Sequence, residues 1–249
     1  MSDAAIQSMT HWVSAIADNI RNPVAGMAAA LDIMTRQLEL RRYTGQCDEA
    51  LIDDACQRMR IRFASLHEYV TELVDFGRPM SLQLGRVSVG ELIPYMTRDL
   101  QQTIQSFGLV AWNLQVADDV KESAVFLDVQ RIGAMIRALV RNAMEAAQTA
   151  AQPTILILME KYALADVLGM HIHIDDNGAG FDRTLLDRVF DPFFSTKEAG
   201  TGLGLSLVRK YVEAHGGRVI LGRAPTLGGA RVSVWLPFDG IQPFAFASR

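Results

Sequence analysis

Only two cysteines occur in the chain, Cys47 and Cys56. Their spacing matches no zinc-binding or redox pattern, so disulfide staples, thiol chemistry and Cys-ligated metal are set aside in favour of reduced thiols on a helix. No apolar run approaches the roughly 20 residues of a membrane-spanning helix. The first residues lack the charged-then-apolar pattern of a signal peptide. Positive charge is not in excess: 24 Lys and Arg against 28 Asp and Glu give a net charge of −4, which offers no electrostatic case for nucleic acid. Internal repeats and low-complexity segments are absent. These absences predict a soluble, cytoplasmic protein with no membrane span in this chain, either whole or the catalytic end of something longer.

What is present is a chain of ordinary globular make-up. Its 249 residues are 49 % hydrophobic and 21 % charged, enough for two domains, each with its own core. The first third has helical spacing. Met9, Val13, Ile16, Ile20, Met27, Leu31, Met34 and Leu38 form one apolar seam, interrupted at Pro23-Val24, and Leu51, Ala55, Met59, Phe63, Leu66, Val70 and Leu73 form a second. Tyr43-Thr44-Gly45-Gln46 reads as the turn between them. A helical hairpin with a stripe on each helix cannot bury both stripes alone. Pairing two hairpins into a four-helix bundle does so, which predicts a two-fold homodimer. Packing both helices on the rest of the chain is the other solution, and long, narrow seams fit it less well.

Two glycine clusters mark the second half. Asp176-Asn177-Gly178-Ala179-Gly180-Phe181 is the first, and Gly200-Thr201-Gly202-Leu203-Gly204-Leu205 the second, with Phe190-Asp191-Pro192-Phe193-Phe194-Ser195-Thr196-Lys197 between them. Glycine lets backbone N–H groups approach an anion, and a helix start adds partial positive charge. The run Leu205, Leu207, Val208, Tyr211, Val212 puts such a start at the second cluster. One cluster alone would read as a pair of tight turns. Two, with an aromatic-rich segment and a lysine between, read as a phosphate cradle.

These strings resemble the ATP-binding domain of sensor histidine kinases, within the gyrase, chaperone and mismatch-repair ATPase superfamily. Val140-Arg141-Asn142-Ala143-Met144-Glu145-Ala146 is similar to the asparagine box, Asp176 to Gly180 to the first glycine box, Asp191-Pro192-Phe193-Phe194 to the phenylalanine box, and Gly200 to Leu205 to the second glycine box. The resemblance covers roughly residues 85 to 237. It implies ATP and Mg²⁺ as cofactors. Asn142 would coordinate the ion, an amide oxygen suiting a hard octahedral cation. Glu145, one turn on, would either hold a water in the metal shell or stand as a solvated helix-face glutamate. The Asp176 carboxylate would accept from the adenine amino group. Gly178, Gly180, Gly200, Thr201, Gly202, Leu203 and Gly204 would line the nucleotide, and Lys197 would neutralise the γ-phosphate as a point charge. Phe193 and Phe194 would pack the base of the lid. Ala138 departs from the pattern, which has a second asparagine there.

A further string, Ala17-Asp18-Asn19-Ile20-Arg21-Asn22-Pro23-Val24, is similar to the family's phosphoacceptor box. It matches at Ile20 to Val24 and departs where the chemistry lies. Asp18 stands at the phosphoaccepting histidine and Asn19 at the acidic residue beside it. An imidazole offers a neutral nitrogen in line with the γ-phosphate. A carboxylate is repelled by triphosphate unless screened, and an amide cannot accept the proton a glutamate would take. Asn22, one turn after Asp18, has two readings. By resemblance it positions a water that removes phosphate from a response regulator. By local chemistry it caps the backbone at Pro23, where a helical proline predicts a kink. Of the five histidines, His11 shares a helix face with Asp18 and is the one worth testing as a substitute acceptor. His67 has no following proline. His171 and His173 share a strand face with no third ligand evident. His215-Gly216-Gly217 reads as a helix end. All five read as surface or partly packed.

The expected fold is α+β: a helical hairpin forming a dimeric four-helix bundle over residues 1–80, a linker at 81–88, an α/β sandwich with one mixed sheet over 89–239, and a tail at 240–249. Strands are expected at Ala111 to Val116, Ala124 to Leu127, Thr154 to Glu160, Met170 to Asp175, Arg218 to Leu221 and Ala230 to Leu236, with helices near 89–105, 129–148 and 203–215. The resemblance implies an ATP-binding histidine-kinase-like protein of two-component signalling. Its partners would be a second copy, a response regulator receiver domain and another histidine kinase. With Asp18-Asn19 in place, it acts as a phosphatase or regulatory partner. Two alternatives are an active kinase using Asp18 or His11 (or a trapped variant of one), and an ATP hydrolase with the hairpin as a dimer clamp.

Overall fold

The computed structural model describes residues 3–105, 110–197 and 200–240, with side chains at Thr10 and from Trp12 onward. The tail beyond Gly240 and the side chain of His11 lie outside the described residues. The chain divides into two compact units, Met1–Arg78 with Phe193–Leu203, and Pro79–Pro192 with Gly204–Arg249.

In the first unit, α1 (Asp3–Thr44) and α2 (Glu49–Gly77) form a hairpin. Helix α1 runs through Pro23 without a break. Its end is turned by Gly45 at φ +74°, a conformation glycine adopts without steric cost. Asp48 caps α2 by accepting from the Leu51 N–H at 3.1 Å, and its own N–H donates to Gln37 Oε1 at 2.9 Å, so the cap is tied to the preceding helix. The helices meet over small residues, Ala30 and Ala55, with Tyr69 also buried. Val13, Ile20, Leu31 and Leu38 on α1 and Phe63 and Val70 on α2 remain exposed.

The second unit holds a five-stranded sheet in the order β2-β4-β5-β7-β6. Its strands are β2 (Ala111–Val116), β4 (Thr154–Leu164), β5 (Val167–Asp176), β6 (Arg218–Arg223) and β7 (Ala230–Pro237). β2 pairs parallel with β4 and the other pairings are antiparallel. Helices α3 (Val89–Gln105), α5 (Val129–Ala147) and α6 (Gly204–Ala214) cover one face. Each buries an amphipathic stripe, for example Leu92, Met96 and Leu100 of α3 and Ile136, Leu139 and Val140 of α5, against Ile157, Ile172, Ile174 and Val234 of the strands. A short helix, α4 (Asp118–Lys121), follows β2.

Two features differ from the sequence expectation. Residues 85–88, read as linker, form β1 (Gly85–Ser88), which pairs antiparallel with β3 (Ala124–Leu127) in a separate two-stranded ladder. Such pairing is long-range and leaves no periodic signal in four residues. Three histidines read as surface or partly packed are buried. His215 is 2 % exposed, and His171 and His173 are buried on β5. Burial first, and His173 beside it second, pull the His171 pKa down to about 4. The third partner that the sequence did not show for this pair is Glu160, directly opposite His171 across the β4–β5 ladder.

Candidate functional site

In the second unit the site is built on α5, the end of β5 and the start of α6. Asp128 caps α5: its Oδ1 accepts from Gln130 and Arg131 N–H at 3.1 Å each, and its Oδ2 from the Gln83 N–H at 3.0 Å. The capped helix carries Asn142 and Glu145, both half-buried, with Arg141 Nε at 3.9 Å from Glu145 Oε1. Burial lowers the pKa of the Arg141 guanidinium, and Glu145 acts against that shift. Ala138 lies one turn before Asn142 on the same helix.

Asp176 ends β5 and is 3 % exposed. Its Oδ1 accepts from the Gly178 N–H at 2.9 Å and the Ala230 N–H at 3.0 Å, and its carbonyl oxygen accepts from the Gly229 N–H at 3.2 Å. The buried carboxylate is therefore fixed in direction by two backbone donors. Asn177 pins the following loop. Its Oδ1 accepts from Thr154 N–H at 3.0 Å and its Nδ2 donates to the Gln152 carbonyl at 2.8 Å.

The loop then lies against α5. A Cβ at Gly178 would sit on the carbonyl of Ala146, so only glycine permits that approach. Gly180, at φ +81°, lies over Gly229. Gly204 opens α6, where a Cβ would come within 3.7 Å of Arg141 Nη2. The structure thus brings Asn142, Glu145, Asp176, Gly178, Gly180 and Gly204 together in one unit. Sequence reasoning missed Gly229, where a Cβ would overlap Asp176 Oδ1. The pair Gly228-Gly229 was the available signal.

Lys197, Gly200, Thr201, Gly202 and Leu203 belong to the first unit. Thr201 Oγ1 donates to Glu72 Oε2 of α2 at 2.8 Å. The Phe193 ring lies 5.8 Å from Trp12 of α1 and 6.0 Å from Phe76 of α2. The Phe193 N–H donates to the Gly202 carbonyl at 3.0 Å, and both residues have positive φ, +65° and +67°. The Gly200 N–H donates to the Lys197 carbonyl at 3.2 Å. Asp18 and Asn22 are exposed on α1, with Arg21 Nη1 donating to Asp18 Oδ1 at 3.3 Å.

Residues 127–240 match the family model described as Histidine kinase-, DNA gyrase B-, and HSP90-like ATPase. Over 235 residues the chain is 25 % identical to the signal transduction histidine-protein kinase AtoS of Escherichia coli K12, covering 94 % of this chain and 36 % of AtoS. It is 30 % identical over 241 residues to the sensory histidine kinase/phosphatase NtrB of E. coli O157:H7, covering 90 % of this chain and 61 % of NtrB. The chain thus spans between about a third and two thirds of the length of these relatives. In fold it is similar to histidine kinase ThkA, solved in complex with response regulator protein TrrA, with a TM-score of 0.66 and 20 % identity over 94 % of this chain and 63 % of that one. Among the described residues no helix is long and apolar enough to cross a membrane.

Proposed function

From its match to the histidine kinase-type ATPase model and its likeness to histidine kinases along most of its length, we propose that the chain is a member of the sensor histidine kinase family, an ATP-binding regulator of two-component signalling whose own stalk accepts no phosphate. In this reading it removes phosphate from a response regulator, or biases another kinase. One observation carries it: the α1 residue at the acceptor position is Asp18, an exposed carboxylate held by Arg21. It is acceptor-only and anionic where the reaction needs a neutral nitrogen.

The second unit fits a nucleotide. The cradle at Gly178 and Gly229 would be filled by any side chain, and Asp176 is a buried, oriented acceptor suited to an adenine amino group. Asn142 and Glu145 present oxygen donors of the kind Mg²⁺ takes. Lys197 and Gly200 to Gly204 are assigned to the phosphates by resemblance. When bound, the ion would neutralise phosphate charge. ATP would then act as a conformational ligand, favouring one arrangement of the chain over another. Asn22 is exposed one turn beyond Asp18, and its amide would orient a water toward a phosphorylated receiver domain without titrating. The exposed seams of α1 and α2 support a homodimer as the working form.

Radiolabelled ATP tests the reading. The expected result is no label on the chain, no steady phosphate release without a partner, and accelerated loss of phosphate from a phosphorylated receiver domain. Asn22→Ala should slow that loss at least tenfold. The double substitution Asp18→His and Asn19→Glu should gain label. Stable label on the unaltered chain would instead identify an active kinase, and steady partner-free turnover a simple ATP hydrolase.

A further inference from the structure

We propose that Glu160, His171 and His173 form a binding site for a divalent transition-metal ion of the zinc class, on the sheet face opposite the helices. Along β5, Ile172 and Ile174 point into the helix-covered core, so His171 and His173 lie on the other face. Glu160 of β4 stands opposite His171. One ligand atom from each of the three falls within 4.8 Å of the others. Glu160 Oε1 is 3.2 Å from His173 Nε2 and 4.0 Å from His171 Nδ1. Around a zinc ion bonded at about 2.0–2.1 Å, neighbouring tetrahedral ligand atoms stand about 3.4 Å apart, so the trio needs only small side-chain adjustments.

Two further observations point to a ligand. His171 is 9 % exposed, yet neither of its ring nitrogens has a hydrogen-bond partner. A buried imidazole left so is costly, and a cation would engage its lone pair. His173 Nδ1 lies 2.8 Å from Ser233 Oγ. In the tautomer that donates Nδ1–H to Ser233, the Nε2 lone pair faces Glu160, the outer-shell support typical of a metal-bound histidine.

The local charge also suits a cation. Arg231, the nearby positive group, is held by Asp175 through two bonds of 2.6 and 2.7 Å, leaving Glu160 as the unbalanced charge of the trio. The Glu160 side chain is 52 % exposed, so one side of the site stays open for entry and for a water ligand. Two imidazoles and one carboxylate select zinc, nickel or cobalt over Mg²⁺, which prefers oxygen in an octahedron. This site is thereby chemically distinct from the Asn142 region.

The test is Zn²⁺ titration of the chelator-treated full chain by calorimetry without nucleotide, repeated with Co²⁺ followed by visible absorption. One equivalent should bind, and Glu160→Gln and His171→Ala should each weaken it at least tenfold. The exposed Glu160 makes the first variant the deciding one should His171→Ala fail to fold, with circular dichroism checking the fold of each. Cys47→Ser with Cys56→Ser should leave binding unchanged. The site is overturned if the unaltered chain takes up no stoichiometric Zn²⁺, if Glu160→Gln binds as tightly, or if the cysteine variant loses binding.

Discussion

His215 Nε2 accepts the backbone N–H of Asp128 at 3.0 Å, and this bond ties the end of α6 to the cap of α5. A backbone nitrogen can only donate, so Nε2 carries the lone pair and Nδ1–H donates to the Tyr211 carbonyl at 2.7 Å. The imidazole must therefore be neutral in the native state. Burial lowers its pKa below the usual 6.5, outweighing the upward pull of the Tyr211 carbonyl and of Asp128.

The pH dependence follows from that depressed value. Between the native pKa and 6.5 the unfolded chain holds a proton the native chain lacks, so stability rises with pH in that window. The contribution is complete above the unfolded value and is lost as pH falls through the native one. In urea titrations between pH 5 and 7.5, His215→Gln should show a shallower fall in stability toward acid than the unaltered chain. His215→Leu should lose about 1–3 kcal/mol at neutral pH, because the Asp128 N–H is left buried without an acceptor.

Gly178→Ala should act on both fold and ligand. The added methyl meets the Ala146 carbonyl, which belongs to the helix carrying Asn142, so the loop must lift away from α5. Overpacking of this kind costs about 1–3 kcal/mol. Thermal melts should show a lower midpoint, and calorimetry with Mg-ATP should show affinity reduced at least tenfold.

The grouping of Asn142, Asp176 and Gly178 in one unit was legible because each lies in a short contiguous string that the family resemblance picks out. Asp176, Gly178 and Asn142 meet in the fold as neighbours of one another's elements. Gly229 was not legible, since its role is to leave room for an aspartate far away in sequence. Glu160 was missed for a different reason: the β4–β5 hairpin that sets it opposite His171 turns on Ala165-Asp166, which is not the Asn-Gly or Asp-Gly pair that marks such a turn in sequence. The short ladder between β1 and β3 is a pairing of distant segments as well. The helices α1, α2 and α6 were read from apolar spacing, which is local.

Asp176→Asn separates recognition from stability. The asparagine Oδ1 can still accept from Gly178 and Ala230, whereas its other terminal atom changes from acceptor to donor. Melting should shift little, and ATP affinity should drop by about ten- to a hundredfold, or about 1.4–2.7 kcal/mol. Asp176→Ala should lose affinity and stability together, since two backbone donors are left unpaired. Equal ATP binding by Asp176→Asn and the unaltered chain would remove the adenine role from this residue.

The hairpin predicts its own partner. Val13 and Ile20, and then Leu31 and Leu38, are heptad-spaced on α1, with Leu31 55 % exposed, and Phe63 and Val70 are heptad-spaced on α2. Side chains repeating at that interval keep to one strip of a helix and fit a facing helix rather than water. Small residues, Ala30 and Ala55, already occupy the contact between α1 and α2, so the exposed strips are available to a second hairpin. A lone hairpin leaving them in water forgoes roughly 25 cal/mol for each Å² that dimerisation would bury. Sedimentation equilibrium should give a dimer of the full chain. Leu31→Glu with Leu38→Glu should shift it to monomer while the second unit, followed by its own Mg-ATP binding, is unchanged. A dimer that survives both charges would mean that the strips are covered by something other than their counterpart.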